Sequence, residues 1–248
     1  PVHLFGLCAN MEAVMSIAKE HKLFVIEDTA QAIGANYTFA DGRKQKVGTI
    51  GHVGTTSFFP SKNLGCYGDG GAICTNDEQL AIALKQIANH GQTIKYHHEV
   101  VGCNSRLDSI QAAILDIKLK SLDNYCDSRR NAADYYDNFL SKINGITVPF
   151  RSENSKHVFH QYTLILENAS RGALQEALTA NDIPSMIYYP IPAHKQQMFA
   201  AFGSSNTELP TTDWLTDRVI SLPIHTEMDE EQQEYIIDTV NSFFGNKH

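Results

Sequence analysis

The sequence lacks the features that mark secreted, membrane-spanning and nucleic-acid-binding proteins. Its 5 cysteines are odd in number and include no CxxC pair, which disfavours a disulfide framework and favours reduced thiols in the cytoplasm. A net charge of −8 without a basic stripe argues against nucleic-acid binding. No apolar run approaches the roughly 20 residues of a membrane helix. The 11 histidines include no HExxH pattern, so we predict no metal site.

The first half of the sequence alternates apolar strands with amphipathic helices. Leu23–Ile26 and Thr55–Phe59 are short apolar or β-branched runs that predict buried strands. Apolar residues recur at helix spacing over Met11–Ala18 and Leu80–Ala88. Strands that alternate with helices are typical of βαβ units. We therefore predict an α/β fold with a mostly parallel sheet.

The second half predicts a smaller α+β region. A helical pattern runs from about Ser105 to Ser141, with a joint at Asn124-Tyr125. The later predicted elements are the strand Tyr162–Leu166, the helix Arg171–Asn181, the strand Ser185–Tyr189 and the final helix Asp229–Phe244. This change of pattern divides the chain into a first domain over 1–125 and a second over 126–248.

An amine and an acid stand at the ends of the two predicted strands. Asp28 falls just past Leu23–Ile26, and Lys62 follows Thr55–Phe59 with glycines after it. Open α/β sheets bind ligands at the carboxyl ends of their parallel strands. An amine able to form a Schiff base and a nearby acid are what pyridoxal-phosphate chemistry requires. The glycines that follow the lysine match no nucleotide phosphate loop, so we favour the pyridoxal-phosphate interpretation.

An ordered series of short motifs extends over essentially the whole chain. The motifs are Pro1–Gly6, Glu27–Gln31, Ser57–Lys62, Gly68–Gly71, Asn89–Gly91, Asn104–Ala113, Tyr188–His194 and Ser221–Pro223. By these motifs the chain resembles the DegT/StrS family of sugar aminotransferases. These are fold-type-I pyridoxal-phosphate enzymes that aminate keto groups on nucleotide-linked sugars. The resemblance implies that 1–125 is the C-terminal part of the large cofactor-binding domain and that 126–248 is the small domain.

The resemblance assigns four of the residues in these motifs to the cofactor, pyridoxal 5′-phosphate. Asp28 matches the acid that keeps the pyridine nitrogen protonated, so that the ring accepts electrons. Lys62 matches the lysine that forms a Schiff base with the cofactor and carries a proton during catalysis. Ser57 matches a phosphate contact. Gln31 matches a residue that hydrogen-bonds the ring hydroxyl or packs on the ring.

Asn104 and Arg106 precede a predicted helix. Ser105 and Asp108 fit a capping pattern, which places Asn104 just ahead of a helix amino terminus that favours phosphate. In the family the matching Asn reaches the phosphate of the partner subunit's cofactor, which implies a homodimer with shared active sites. The alternative is a plain cap with an exposed Asn. Arg106 is a candidate contact for an anionic nucleotide sugar, or a solvated residue at the helix start.

Three aromatic residues in the second half match the family's substrate contacts. Tyr188 stands where the family commonly has a His, and its hydroxyl can still bond a sugar hydroxyl. Tyr189 follows it directly. His194 matches a sugar contact, although a structural His on a loop explains the position equally well.

The function implied is the transfer of an amino group, from glutamate by family habit, to a keto sugar on a nucleotide, for amino-sugar and surface polysaccharide biosynthesis. By comparison with the family, roughly the first third of a member is absent from this sequence. That part would carry the phosphate loop and the aromatic residue that stacks on the cofactor, so we expect an incomplete phosphate site and a chain that is inactive alone.

Two rival functions are weighed against this one. A non-catalytic cofactor-binding or regulatory domain has no need of the amine of Lys62. A pyridoxamine-dependent sugar dehydratase belongs to a branch that replaces the lysine with histidine. The presence of Lys62 therefore argues against both alternatives.

Overall fold

The computed structural model describes residues 1–203 and 207–245, and the chain divides into two compact units. The first unit comprises Pro1–Asp127 and Arg151–His160, and the second comprises Ser128–Phe150 and Gln161–His248. The assignment of 1–125 and 126–248 to a cofactor-binding and a small domain stays a prediction.

The chain alternates short strands with helices in its first part. The described helices are α1 (Met11–His21), α2 (Glu78–Ala88), α3 (Ser109–Leu119), α4 (Leu122–Leu140), α5 (Arg171–Ala180), α6 (Pro210–Thr216) and α7 (Glu230–Phe243). The described strands are β1 (Ile26–Asp28), β2 (Asn36–Thr38), β3 (Lys44–Lys46), β4 (Val53–Ser57), β5 (Gly71–Cys74), β6 (Gln92–Ile94), β7 (His97–His98), β8 (Ile146–Thr147), β9 (Ser155–Lys156), β10 (Tyr162–Leu166) and β11 (Val219–Leu222).

The sheet that carries the predicted amine and acid has the order β1-β4-β5. β1 and β4 are parallel, with Asp28 opposite Thr55, and Val2 adds a parallel bridge beside Asp28. β5 runs antiparallel to β4. The sheet is therefore mixed: β1 and β4 are parallel, as predicted, and β5 is antiparallel.

Both predicted strand boundaries in this sheet were wrong. β1 begins at Ile26 because the Leu23 amide still donates to Ala18 O at the end of α1, which leaves Phe24 82% exposed. β4 ends at Ser57 because the Phe58 amide turns to Gly70 O. Asp28 is consequently the last residue of its strand.

The predicted long helix is two helices, and both its start and its joint were wrong. The Ser105 amide donates to Ala88 O at the end of α2, so the chain is not free to begin a helix there. α3 starts only after Asp108, whose backbone is extended and whose side chain makes no capping bond. The break falls at Lys120 and Ser121, where the Ser121 amide donates to Lys118 O.

The core of the first unit includes residues from widely separated parts of the chain. Met11, Tyr37, Leu115 and Val158 are all buried there. The segment Arg151–His160 enters this unit by pairing β9 with β2 and by a bond from Val158 N to Gly6 O. Residues that follow α4 thus complete the packing of residues that precede it.

The second unit is built on an antiparallel sheet with the order β11-β10-β8. Leu164 and Ile220 from this sheet and Leu174 from α5 are fully buried. The predicted strand Ser185–Tyr189 was wrong, since only Met186 forms a bridge, to Ser221. Prolines at 184 and 190 flank that segment and lack the amide that a ladder needs.

Within residues 1–203 and 207–245, no helix combines the length and apolar character needed to cross a membrane.

Candidate cofactor site

The carboxyl ends of β1 and β4 bring an acid and a hydroxyl to one edge of the sheet. The Asp28 amide donates to Pro1 O (2.9 Å), and its carbonyl accepts from His3 N (3.0 Å), so its backbone is held from the side opposite β4. Its Oδ1 accepts from Ala30 N at 3.0 Å. On the neighbouring strand, Ser57 Oγ accepts from Phe59 N at 3.2 Å. Both side chains are half-buried.

Lys62 lies on the turn that follows β4, and its side chain is half-buried. Burial lowers the pKa of its amine, and the negative charge of Asp28 opposes this shift. The two groups are therefore near enough for their charges to interact. A lowered pKa increases the neutral, nucleophilic fraction of a lysine amine, which is what Schiff-base chemistry needs.

Side chains from distant parts of the first unit hold the lysine loop, which we define as residues 58–70. Asn63 Nδ2 donates to Val158 O at 2.9 Å, across the inserted segment. Lys118 Nζ on α3 donates to Gly65 O at 2.5 Å. These bonds link the loop to α3 and to Arg151–His160, and no local sequence pattern reveals such distant partners.

Two further contacts close the lysine loop upon itself and upon α3. Cys66 is fully buried, and its Sγ donates to Phe58 O (3.0 Å) and to Gly68 O (3.1 Å). Gln111 Oε1 accepts from Tyr67 N at 2.8 Å. The backbone around Lys62 is therefore fixed on several sides, as the positioning of a reactive amine requires.

Gln31 lies in the turn after Asp28 and is half-buried. Its Oε1 accepts from the Phe5 amide at 2.6 Å, and Phe5 has a left-handed backbone with φ of 59°. The side chain thus ties the turn to the segment before α1. Its predicted contact with the cofactor ring stays a prediction.

Asn104 and Arg106 lie at a cavity of about 980 Å³ in the same unit. Its walls come from β4, β5, α2 and residues 104–108, and among the described residues neither Lys62 nor Asp28 lines it. Arg106 Nη1 donates to Asn89 Oδ1 at 3.2 Å, and the Asn104 backbone forms a bridge with Asn89. Both residues are exposed. This cavity is therefore lined by the pair but by neither the amine nor the acid.

The predicted substrate residues Tyr188, Tyr189 and His194 all belong to the second unit. The rings of Tyr188 and Tyr189 meet edge to face with centroids 5.7 Å apart. His194 Nε2 lies 3.8 Å from Asp213 Oδ1, beside the ion pair of Lys195 and Asp213 at 2.7 Å. Their contact with a sugar stays a prediction.

Among the residues that the structure describes, no group of three His, Cys, Asp or Glu side chains is arranged to hold a metal ion.

Known proteins resemble this chain over nearly its whole length. The family model described as the DegT/DnrJ/EryC1/StrS aminotransferase family matches residues 1–241. A pleiotropic regulatory protein of Geobacillus stearothermophilus is 45% identical over 98% of the chain and 64% of its own length. A UDP-N-acetyl-3-dehydro-α-D-glucosamine 3-aminotransferase of Acidithiobacillus ferrooxidans is 47% identical over 94% of the chain and 60% of its own length. The chain therefore spans less than two thirds of these relatives.

Solved structures agree with the fold. DesV of S. venezuelae, in complex with a ketimine intermediate, superposes with a TM-score of 0.92 at 37% identity, over 100% of this chain and 65% of its own. NtdA of Bacillus subtilis, with bound cofactor PMP, superposes with a TM-score of 0.88 at 29% identity, over 99% of this chain and 56% of its own. The α/β fold and the family resemblance are thereby confirmed, and the chain belongs to the DegT/DnrJ/EryC1/StrS aminotransferase family.

Proposed function

We propose that the full-length protein is a pyridoxal-phosphate-dependent aminotransferase. It moves an amino group, with glutamate as the donor, to a keto group of a nucleotide-linked sugar, and so serves amino-sugar and surface polysaccharide biosynthesis. The observation that carries this proposal is the placement of the half-buried amine of Lys62 and the carboxylate of Asp28 after two parallel strands, where the charge of Asp28 acts on the amine. The cysteine usage of the chain supports a cytoplasmic location.

The side chains at this edge fit the chemistry of the cofactor. Lys62 would hold it covalently through Nζ, Asp28 would face its pyridine nitrogen, and Ser57 would donate to its phosphate. Gln31 would meet its ring hydroxyl or its face. When bound, pyridoxal phosphate supplies an electron sink for the carbon that bears the amino group.

The chain's own contribution to the reaction is proton transfer and electrostatics. Lys62 Nζ would take a proton from the substrate carbon and return it. Because burial lowers the pKa of this amine, its neutral form is available for that step. The negative charge of Asp28 would keep a proton on the ring nitrogen of the cofactor.

The name of the A. ferrooxidans relative supports a nucleotide-linked keto sugar as the amino acceptor. Arg106 would contact an anionic group of this substrate, because a guanidinium matches phosphate or carboxylate in a fork geometry. Tyr188, Tyr189 and His194 would contact the sugar through their hydroxyls and imidazole.

The proposed assembly is a homodimer in which Asn104 reaches the phosphate of the partner subunit's cofactor. Asn104 is exposed and lines a cavity that Lys62 of the same chain does not line. An Asn that serves another subunit must be accessible from outside its own chain, and this placement supports that requirement.

A regulatory role is the second candidate, because the G. stearothermophilus relative carries the name of a pleiotropic regulatory protein. In that case the site would bind the cofactor without turnover. Lys62, Asp28 and Ser57 would then have no catalytic task, and substitutions among them would change ligand binding alone.

One experiment separates the two candidates. The full-length protein is incubated with glutamate and a panel of keto sugar nucleotides, and mass spectrometry detects the amino sugar. We expect product from at least one sugar, none from Lys62→Ala, and wild-type product from Lys44→Ala, which changes an exposed lysine on β3. Bound cofactor without product from any sugar would favour the regulatory role, and failure to bind cofactor would reject both.

A further inference from the structure

A buried pair of a histidine and a carboxylate lies on the face of β1 opposite the side chain of Asp28. His3 and Glu27 are both 0% exposed, and His3 Nε2 lies 3.0 Å from Glu27 Oε2. Glu27 directly precedes Asp28, and successive side chains of a strand point to opposite faces. The pair therefore lies behind the acid that faces Lys62.

Glu27 accepts hydrogen bonds through both carboxylate oxygens. Oε1 accepts from Ile50 N (2.7 Å) and Gly51 N (2.6 Å), and Oε2 accepts from Gly48 N (2.9 Å) in addition to His3. Burial alone would raise the pKa of Glu27, but the bonds from His3 and these three amides outweigh it and lower the pKa. The carboxylate is therefore ionised and fully surrounded by donors.

The protonation of His3 follows from its two partners. Its Nδ1 accepts from Ala9 N at 3.1 Å, so that nitrogen carries no proton. The proton of the neutral ring is therefore on Nε2, which donates it to Glu27. The nearby thiol of Cys8 stays neutral as well, because burial and the charge of Glu27 raise its pKa to about 12.

The same histidine also holds Asp28 directly through its backbone. The His3 amide donates to Asp28 O at 3.0 Å, and the Asp28 amide donates to Pro1 O at 2.9 Å. β1 has only three residues, so few other bonds fix the end of this strand. The carboxylate of Glu27 thus joins the Pro1–His3 segment and the turn 48–51 to β1, the strand that ends at Asp28.

That turn has no room to adjust independently of β1 and β4. Gly48 has a φ of +89°, and a Cβ added there would come within 2.8 Å of the Thr29 side chain. A Cβ on Gly54 of β4 would collide with the carbonyl of Gly48. Movement of the turn would therefore be transmitted to the strands that carry Asp28 and Ser57.

We propose that His3 and Glu27 are positioning residues, which hold the end of β1 so that Asp28 is directed at the ring nitrogen of the cofactor. This inference rests on the proposed function, because it assigns the pair a task in the same site. A purely structural pair would stabilise the unit without affecting how Asp28 meets the cofactor. The two roles differ in the properties of the bound cofactor.

The test compares two histidines that bond to opposite ends of the same strand. His3 acts at the carboxyl end, whereas the exposed His52 accepts from Val25 N (2.9 Å) just before β1 begins. His3→Ala, His3→Gln, Glu27→Gln and His52→Ala are prepared in the full-length protein with bound cofactor. His3→Gln preserves an N–H donor near the position of Nε2. The readouts are the pH midpoint of the cofactor absorbance, kcat, Tm and amide exchange of residues 48–51 without cofactor.

We expect His3→Ala to shift the absorbance midpoint in the same direction as Asp28→Asn, by a smaller amount, and to lower kcat about 10-fold. Amide exchange of residues 48–51 should accelerate in the cofactor-free protein. His3→Gln should restore the midpoint, and His52→Ala should lower Tm while leaving the midpoint unchanged. Glu27→Gln should behave as His3→Ala or more severely, because its amide group opposes backbone donors.

The outcomes distinguish this inference from the proposed function. If the wild-type protein binds no cofactor at Lys62, both are rejected. If it binds cofactor but His3→Ala retains the wild-type midpoint and kcat, only the positioning role is rejected. An equal midpoint shift in His52→Ala would also reject it, since any loosening of β1 would then have the same effect.

Discussion

The first unit contains two regions to which the sequence assigned functional residues, and they are built differently. At the lysine edge, strand pairing and the bonds of the lysine loop bring Asp28, Ser57 and Lys62 together. At the cavity bounded by β5 and α2, Asn104 and Arg106 stand on an exposed segment with few bonds to the sheet. The first arrangement fixes groups for chemistry within one chain. The second leaves groups accessible, as contact with a ligand or a partner requires.

The largest difference between the regions should appear when a lysine is removed from each. We expect Lys62→Ala in the full-length protein to lose at least about 10⁴-fold in turnover, because it loses both its proton carrier and its covalent link to the cofactor. Lys85→Ala removes an amine from the cavity wall instead. Borohydride reduction followed by peptide mass mapping should find the cofactor at Lys62 in Lys85→Ala and none there in Lys62→Ala. An adduct at the same peptide of Lys62→Ala would contradict the assignment.

A smaller effect is expected when one acid of each region is neutralised. Asp28→Asn should retain bound cofactor but lose on the order of 10²–10³-fold in kcat, because an amide no longer keeps the ring nitrogen protonated. Asp108→Asn, on the wall of the cavity, is the matched control and should change kcat far less. Steady-state kinetics with cofactor absorbance measured in parallel checks this prediction. Wild-type turnover in Asp28→Asn would remove its electrostatic role.

The smallest expected effect is the activity regained in hybrid dimers, which tests whether the two regions meet across a dimer interface. Lys62→Ala and Asn104→Ala subunits, each inactive alone, are unfolded and refolded together at equal concentration. Random pairing gives hybrids in half of the dimers, each with one intact site, so about one quarter of wild-type activity should return. A mixture of Lys62→Ala with Asp28→Asn is the control. Both substitutions lie at the lysine edge of one chain, and Asn104 is intact in both subunits of the hybrid.

The recovered activity must therefore be compared between the two mixtures. Two variants of the same region give hybrids in which each lysine edge has one defect, so this control mixture should regain almost no activity. Equal recovery in both mixtures, or recovery in neither, would argue against a shared site. Different affinity tags on the two variants confirm that hybrids have formed, because only hybrids are retained by both affinity resins in succession.

The sequence predicted that Asp28 and Lys62 follow neighbouring parallel strands, because a general rule about parallel sheets applies there, and their roles at a cofactor stay predictions. Asp28 and Lys62 follow strands, and strands of this kind end at a common edge whatever their exact limits. The limits themselves were wrong: the apolar pattern of Leu23 and Phe24 indicates burial, but it does not reveal that the chain is still leaving α1 at this point. The predicted helix start at Ser105 was wrong for a similar reason, because the Ser105 amide donates to Ala88 O at the end of α2.

The contacts that hold the site were beyond local patterns. Asn63 finds its acceptor on Val158, and His3 finds Glu27, across long stretches of chain. A motif indicates that such residues recur together, whereas only the tertiary structure shows which atoms they join. The role of Glu27 is the clearest case, because in the sequence it is only the first residue of the motif Glu27–Gln31.

The insertion of Arg151–His160 into the first unit has a consequence for the order in which the protein is made. Residues 1–127 are synthesised before Val158, so at that stage the lysine loop cannot form the bond from Asn63 Nδ2 to Val158 O. At about 5–20 residues per second, that acceptor emerges seconds later. Long-range closure of this kind slows folding. The loop that carries Lys62 therefore stays incompletely fixed until Val158 has been synthesised.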